Sequence, residues 1–257
     1  MRALLRGRAE SAGAGVRSNH GVFRWARSPG RGRGGRSLKA IVLFGSPGSG
    51  KGTQAKLLTG CLGVPHVSTG DMLRQRVRRE PELAKAATAA MQSGLLVSDE
   101  LVNRMVEERL AEADAAQGFI LDGYPRTLPQ ARHLRTWFEA RGIREVVIHL
   151  VVDYNIVIAR LTGRRQCPRC GTLYNLVLKP PQRDNVCDLD GQTLTARNDD
   201  NEQAIRERLD TYERQTRPVL EYYRTAPVAM LDVDGSQQPP ERVAESICRA
   251  LKTNDRA

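Results

Sequence analysis

The chain has 257 residues, with 40 Lys and Arg against 29 Asp and Glu, a formal net charge of +11 and a hydrophobic share of 40%. This length suits one domain with or without insertions, and the hydrophobic share excludes a wholly disordered chain. The apolar runs of the sequence fall short of the roughly 20 residues of a membrane-spanning helix. The charge suggests a nucleic-acid or anionic-membrane partner, unless it is confined to one segment.

Most of the positive charge lies in residues 1–38, which contain nine Arg and a single acid, Glu10. This segment therefore accounts for eight of the eleven net charges, and residues 39–257 for three. It is rich in Gly and Ser and lacks apolar periodicity, so we predict a disordered extension. Three interpretations of it stay open: an organelle transit peptide, a non-specific RNA-binding arm, or an appended segment without function.

A glycine-rich loop follows the first predicted strand. The strand is predicted at residues 39–44, the loop reads GSPGSGKGT at residues 45–53, and a helix is predicted at residues 54–61. Strand, loop and helix in this order are the setting of a phosphate-binding loop, whose backbone N–H groups bind phosphate oxygens. Lys51 would add a positive charge. Gly52 stands where Ser or Thr is usual in such loops, so a chance glycine-rich turn is the alternative.

Helical and strand-like segments alternate through the rest of the chain. Helices are predicted at residues 71–79, 81–92, 98–115, 128–141, 156–162, 201–224 and 241–252. Strands are predicted at residues 119–122, 146–152 and 228–233. This alternation predicts a parallel sheet that is covered by helices on both faces. Residues 163–200 interrupt the pattern with turns, clustered Cys and one strand-like stretch at residues 172–178.

The interruption contains two short metal-ligand patterns. Cys167 and Cys170 are separated by two residues, and so are Cys187 and Asp190. This spacing predicts a structural zinc site with Asp190 as the fourth ligand, although water or Asp188 could take that place. A redox-active Cys-x-x-Cys pair is the alternative, but it leaves the second pattern unexplained.

The other two cysteines, Cys61 and Cys248, lie in predicted helices far apart in the sequence. We expect them to be buried thiols. No disulfide framework is indicated, which agrees with a reducing compartment.

Three further strings accompany the phosphate loop: STGDMLR at residues 68–74, LDGYPRTLPQ at residues 121–130, and DD at residues 199–200 with RERL at residues 206–209. Together they make residues 39–257 similar to adenylate kinases, in the long form whose lid has a zinc site. The resemblance implies an α/β P-loop fold with three α/β/α layers and a central parallel sheet. It further implies a helical insertion that binds the nucleoside monophosphate at about residues 68–97 and a small zinc-stapled lid at about residues 163–200.

The implied reaction is reversible transfer of a phosphoryl group from Mg-ATP to AMP, which gives two ADP and maintains the balance of adenine nucleotides. Such a site joins two polyanions without a strong general base, so it should be rich in Arg and poor in His. A related nucleoside monophosphate kinase with another acceptor, or with GTP as donor, is the alternative. A zinc-ribbon nucleic-acid binder is a distant one, because residues 39–257 are close to neutral.

The resemblance also implies which residues contact the nucleotides. On the ATP side they are Gly48, Ser49, Gly50, Lys51, Gly52, Thr53, Arg160, Arg164, Leu173, Tyr174 and Gln237. On the AMP side they are Thr69, Arg74, Leu95, Leu96, Val97, Gly123, Tyr124, Pro125, Arg126, Gln130, Arg197 and Arg208. The catalytic charges would be Lys51, Arg126, Arg164, Arg197 and Arg208.

The remaining expectations concern the metal and the partners. Asp122, at a strand end, would position Mg²⁺ through water. We expect a monomer that binds ATP, AMP and ADP, with no specific nucleic-acid or membrane partner. It would act in the cytoplasm, or in an organelle matrix if residues 1–38 are a transit peptide.

Overall fold

The computed structural model describes residues 17–18, 39–79, 87–90, 92–197 and 199–253. Most of the extension predicted at residues 1–38 lies outside these residues, as does much of the helix predicted at residues 81–92. Within the extension, Arg17–Ser18 forms a two-residue strand that pairs with the sheet, where the sequence predicted no structure.

The described strands form one six-stranded sheet and one two-stranded sheet. The described strands are β1 (Arg17–Ser18), β2 (Lys39–Phe44), β3 (His66–Ser68), β4 (Phe119–Asp122), β5 (Arg144–Val151), β6 (Arg164–Gln166), β7 (Leu173–Asn175) and β8 (Ala229–Asp234). Six of them form one sheet in the order β1-β8-β5-β2-β4-β3. Five of these run parallel and β1 is antiparallel to β8, so the predicted central parallel sheet is confirmed.

Helices connect the parallel strands. Those described are α1 (Lys51–Leu62), α2 (Thr69–Arg79), α3 (Asp99–Leu110), α4 (Leu128–Arg141), α5 (Tyr154–Thr162), α6 (Glu202–Thr211), α7 (Arg217–Thr225) and α8 (Pro240–Thr253), and residues 87–90 are also helical. Each of these described helices is too short or too polar to span a bilayer. The predicted helix at residues 98–115 is shorter and gives way to a 3₁₀ turn at Ala113–Gln117. The one predicted at residues 201–224 is interrupted by a π turn at Tyr212–Thr216.

The central strand β2 is buried on both faces. Its side chains alternate: Val42 and Phe44 belong to one apolar cluster, and Ile41 and Leu43 to another. The first cluster packs against α3, α4 and α7, and the second against α1 and α8. Since each fully buried large side chain contributes about 1.5–3 kcal/mol, this three-layer core holds the carboxyl ends of the strands firmly in place.

A disulfide joins Cys61 near the end of α1 to Cys248 in α8. The expectation of two separate thiols was therefore wrong for this structure. The reason is that α1 and α8 pack side by side on one face of the sheet, although the two cysteines are 187 positions apart in sequence.

The segment predicted to be a lid, residues 163–200 (called the lid below), has a much smaller core among its described residues. Its strands β6 and β7 form a separate two-stranded antiparallel sheet, and the strand predicted at residues 172–178 is shortened to β7. Among the described lid residues, the apolar cluster consists of Cys167, Tyr174, Cys187 and Leu194. A core of this size cannot stabilise a fold alone, so another interaction must hold the lid together.

Candidate active site

The loop between β2 and α1 is shaped for close backbone contacts. Gly48 and Gly50 adopt positive φ angles of 82° and 96°. A Cβ atom on Gly48 would lie 2.8 Å from Cγ of Leu161, so only glycine fits there. Gly50 immediately precedes α1, whose first N–H groups have no partner within the helix. The loop therefore offers an anion site at a helix N-terminus.

Lys51 is the first residue of α1, and its side chain is turned back towards the backbone of the loop. Its Nζ donates to the carbonyl oxygens of Gly45, at 2.7 Å, and Ser46, at 2.9 Å. Burial lowers the pKa of Lys51 to about 8, with Asp122 opposing the shift and Arg126 adding to it. Lys51 is therefore a cation in a site with too few negative charges.

Asp122 ends β4 directly beside the loop. A Cβ atom on Gly52 would lie 3.3 Å from its Oδ2, and Nε2 of His66 lies 3.2 Å from the same oxygen. Burial alone would raise the pKa of Asp122, but the hydrogen bond with His66 and the charge of Lys51 outweigh it and hold the pKa below its usual value. Asp122 is thus an ionised carboxylate next to the phosphate loop.

Two arginines from different elements share one buried carboxylate. Arg164, at the start of the lid, makes a bidentate ion pair with Asp200. Arg208 of α6 donates to Oδ1 of Asp200 at 3.0 Å and lies 3.2 Å from Oδ2 of Asp199. The side chain of Asp200 is only 2% exposed. The two aspartates were noticed in the sequence only as part of a motif, and their role as counterions was missed.

Two further arginines face the cleft from its donor side and its lid. Arg160 of α5 donates to the carbonyl oxygens of Ser49, at 3.2 Å, and Gly235, at 2.8 Å. Arg197 donates to Oε1 of Gln166 at 2.7 Å, and burial, with Arg164 nearby, lowers the pKa of Arg197 to about 10. Both side chains thus donate to neutral groups, and for Arg197 the nearby carboxylates of Asp199 and Asp200 only partly oppose the lowering of its pKa.

The loop after β4 is tied to both sides of the cleft. Arg126 donates through Nε to the carbonyl oxygen of Gly123 at 2.7 Å. Thr69, at the start of α2, donates to the same oxygen at 2.8 Å. Thr216, at the end of the π turn, donates to the carbonyl oxygen of Arg126 at 3.0 Å. This contact gives the π turn a position in the site, which the sequence pattern did not predict.

These elements enclose a cleft of about 830 Å³. It is lined by all of the residues predicted to contact the nucleotides, with one exception. The exception is Tyr124, whose ring is 2% exposed in the apolar core and whose hydroxyl donates to Oδ1 of Asn103 at 2.6 Å. The resemblance implied a nucleotide contact for Tyr124 because the residues on either side of it line the cleft. In the structure the side chain of Tyr124 points away from the cleft and into the core.

The lid contains the expected cluster of metal-binding side chains. One ligand atom from each of Cys167, Cys170, Cys187 and Asp190 lies within 4.8 Å of all the others. Sγ of Cys167 lies 3.3 Å from Oδ1 of Asp190, and the backbone N–H of Cys170 donates to the same sulfur at 3.4 Å. Three thiols and a carboxylate in this arrangement fit a single metal ion.

Known proteins resemble the chain over most of its length. The adenylate kinase family model matches residues 43–228. The adenylate kinase of Caldanaerobacter subterraneus subsp. tengcongensis is 45% identical over 212 residues, which cover 82% of this chain and 95% of the relative. That of the archaeon Methanosarcina acetivorans is 44% identical over 199 residues, 77% of this chain and 92% of the relative. That of Anaeromyxobacter dehalogenans is 44% identical over 201 residues.

Proposed function

The chain belongs to the adenylate kinase family and phosphorylates AMP with ATP, and we propose that both nucleotides bind in the cleft described above. The observation behind this proposal is the convergence of positive charge on one cleft, contributed by Lys51, Arg126, Arg160, Arg164, Arg197 and Arg208. ATP and AMP are polyanions that repel each other, so a site that joins them must supply fixed positive charge. ADP is the product of the forward reaction.

ATP occupies the side of the cleft formed by residues 48–53. Its phosphates meet the loop backbone and the N-terminus of α1, and Lys51 turns from the carbonyls of Gly45 and Ser46 to the outer phosphates. Arg160 faces the donor nucleotide from a position fixed by Ser49 and Gly235. Leu173, Tyr174 and Gln237 line this side as well.

AMP occupies the side formed by Thr69, Arg74, the strip at residues 95–97 and the loop after β4. Arg126 binds its phosphate and Gln130 its base, while Tyr124 supports the loop from the core. The division of residues 39–257 into a core, an AMP-binding region at about residues 68–97 and a lid at about residues 163–200 follows from this assignment.

The chain promotes the reaction by positioning and charge. A bond forms between an oxygen of the AMP phosphate and the terminal phosphorus of ATP, while the bond from that phosphorus to the ADP oxygen breaks. The attacking oxygen is already anionic, so no side chain has to remove a proton. Asp199 and Asp200 hold Arg164 and Arg208 near the cleft before the nucleotides bind, and the lid excludes water when it closes.

Magnesium accompanies ATP in this family, and Asp122 is suited to it. Its carboxylate is ionised and lies beside the phosphate loop. Asp122 would hold the ion through water, and the ion would reduce the repulsion between the phosphates.

The lid cluster could hold a metal ion, and we assign that ion to zinc. Thiolates together with one carboxylate suit zinc better than magnesium or calcium. Four protein ligands leave no position for a reacting water, so the ion would supply folding free energy to a lid whose own core is small.

The proposal includes a monomer, because one chain supplies both nucleotide sites. It also includes action in the cytoplasm without a nucleic-acid or membrane partner. An organelle matrix is the alternative if residues 1–38 are a transit peptide. A reducing cytoplasm would keep Cys61 and Cys248 as thiols, so their disulfide would form only under oxidising conditions.

A kinetic matrix tests the assignment of substrates. Initial rates are measured for AMP, GMP, CMP and UMP as acceptors, each with ATP and with GTP as donor. We expect kcat/KM to be highest for ATP with AMP. Comparable values with CMP or UMP would contradict the acceptor assignment, and comparable values with GTP would contradict the donor assignment.

A further inference from the structure

The side-chain amide of Gln130 is held by two partners, one a hydrogen-bond donor and the other a hydrogen-bond acceptor. Gln130 is 2% exposed and lines the acceptor side of the cleft. Its Oε1 accepts from the backbone N–H of Arg126 at 2.7 Å. Its Nε2 donates to Oδ1 of Asp99 at 2.7 Å.

These two partners permit only one orientation of the amide. A backbone N–H can only donate, and an ionised carboxylate can only accept. Exchanging the amide oxygen and nitrogen would bring two N–H groups together at Arg126 and two oxygens together at Asp99. A buried donor or acceptor that is left without a partner destabilises the protein, so the exchanged orientation is excluded.

Asp99 is itself fixed at both carboxylate oxygens. Its Oδ2 accepts from Oγ1 of Thr127 at 2.7 Å. The same Oγ1 accepts from the backbone N–H of Gln130 at 3.2 Å and thereby caps the N-terminus of α4. Asp99 therefore links the first turn of α3, just after the strip at residues 95–97, to the residue that lines the base side of the cleft.

We propose that Asp99 is a positioning residue that makes Gln130 select a 6-aminopurine as the acceptor base. The oriented amide keeps one N–H and one carbonyl lone pair for the cleft. A 6-aminopurine offers the complementary pair, an acceptor at N1 and a donor at the 6-amino group, whereas a 6-oxopurine offers the reverse pattern. This inference rests on the proposed function, which places the acceptor base against Gln130.

The first turn of α3 provides a matched control. Asp99 and Glu100 are adjacent acids there, and both carboxylates would stabilise the positive end of the helix. Glu100 is exposed, whereas Asp99 is tied to Gln130 and Thr127. If Asp99 acted only by stabilising the helix, substitutions of Asp99 and Glu100 would have the same effect. If Asp99 orients Gln130, only substitutions of Asp99 should change the preference for the acceptor base.

The experiment compares AMP with inosine 5′-monophosphate, which differs from AMP only at N1 and the 6-position. In Asp99→Ala we expect KM for AMP to rise and the kcat/KM preference for AMP over the inosine nucleotide to fall, each about tenfold, while KM for ATP is unchanged. Asp99→Asn should lose only about threefold of that preference, because its amide oxygen can still accept from Nε2 of Gln130. Glu100→Ala and Glu100→Gln should keep the wild-type preference.

Two results for the AMP preference would overturn the inference. One is a preference in Asp99→Ala equal to that in Glu100→Ala, and the other is a preference in Asp99→Asn as low as that in Asp99→Ala. If Asp99→Ala does not fold, a preference in Asp99→Asn equal to that in Glu100→Gln would overturn it.

The variant Gln130→Ala separates failure of this inference from failure of the proposed function, since an unchanged preference in that variant would show that the acceptor base lies elsewhere. In the Gln130→Ala background, Asp99→Ala should have no further effect on the preference. A persisting effect would show that Asp99 acts through another group.

Discussion

The core and the lid both place cations at the cleft, but they are held together differently. Lys51 begins α1 and Arg126 lies in the loop after β4, and both follow strands whose side chains are buried on both faces of the sheet. The lid contributes Arg164 and Arg197 from a segment in which the described apolar cluster has four members, and two of these are cysteines of the group that could hold a metal ion. Loss of a charge should therefore impair the chemistry without unfolding the core, whereas loss of a lid ligand should unfold the lid and leave the core intact.

The largest effect is expected from Lys51→Met, which removes the charge from the phosphate loop. We expect kcat to fall by about 10³-fold, because in the proposed mechanism the lysine would stabilise charge on the phosphates during transfer. The melting temperature should not fall, since burial of this cation already costs the folded state, as its lowered pKa indicates. Steady-state kinetics and thermal unfolding measure the two quantities. Lys252→Met, at an exposed position of α8, is the control. A loss of less than threefold in kcat would contradict the role of Lys51.

The lid is tested by Cys187→Ser, which removes a buried ligand. We expect the bound metal to fall from about one ion per chain to nearly none and kcat at 37 °C to fall about tenfold, because the lid loses the folding free energy of the site. Turnover at low temperature should persist, since the proposed role of the metal is to stabilise the lid and not to react. Metal analysis, a temperature series and hydrogen exchange over residues 163–197 provide the measurements.

The control for the lid variant is Cys61→Ser, which removes a sulfur outside the cluster and should leave the metal content unchanged. Complete loss of turnover at 10 °C in folded Cys187→Ser would mean that stability and chemistry are not separable in the lid. Faster exchange over α1 in that variant would show that the core depends on the lid.

The charge of Lys51 in the core can also be removed by raising the pH. The pKa of Lys51 is lowered to about 8, so the free enzyme has this cation below pH 8 and loses it above. Because kcat/KM follows the protonation state of the free enzyme, kcat/KM for ATP should fall about fivefold between pH 8 and pH 9 and by about tenfold for each further pH unit. Bound phosphates favour the charged lysine, so kcat should fall at a higher pH than kcat/KM. A kcat/KM that stays level to pH 9.5 would contradict this assignment.

The features that could be predicted from the sequence are those set by residues close together in the chain. The apolar run of β2, the glycines after it and the spacing of Cys167, Cys170, Cys187 and Asp190 are local patterns, and each one specified its own part of the structure. Contacts between distant residues were not predictable in this way. The pairing of Arg164 with Asp200 depends on how the lid meets α6, and the turn of Tyr124 into the core depends on the packing of α3 against α4.

The disulfide between Cys61 and Cys248 is another such contact, and it provides the prediction with the smallest effect on activity. The bond closes a loop of 187 residues that includes the whole lid, yet it lies in the packing of α1 against α8. Closing so long a loop restricts the unfolded chain, so Cys61→Ser should lower the melting temperature of the oxidised protein by about 5–10 °C. Turnover at 25 °C should stay within about twofold of wild type, because neither cysteine lines the cleft.

Substitution tests this contact better than a reducing agent, because a thiol reductant would also compete for metal at the lid cysteines. Cys248→Ser should reproduce the change seen in Cys61→Ser, and the double variant should add nothing, since either substitution alone already breaks the bond. Metal content and lid exchange should match wild type in all three variants. A double variant that is clearly less stable than either single one would mean that the two sulfurs contribute by separate packing. The bond would then not be the link that holds the ends of the core together.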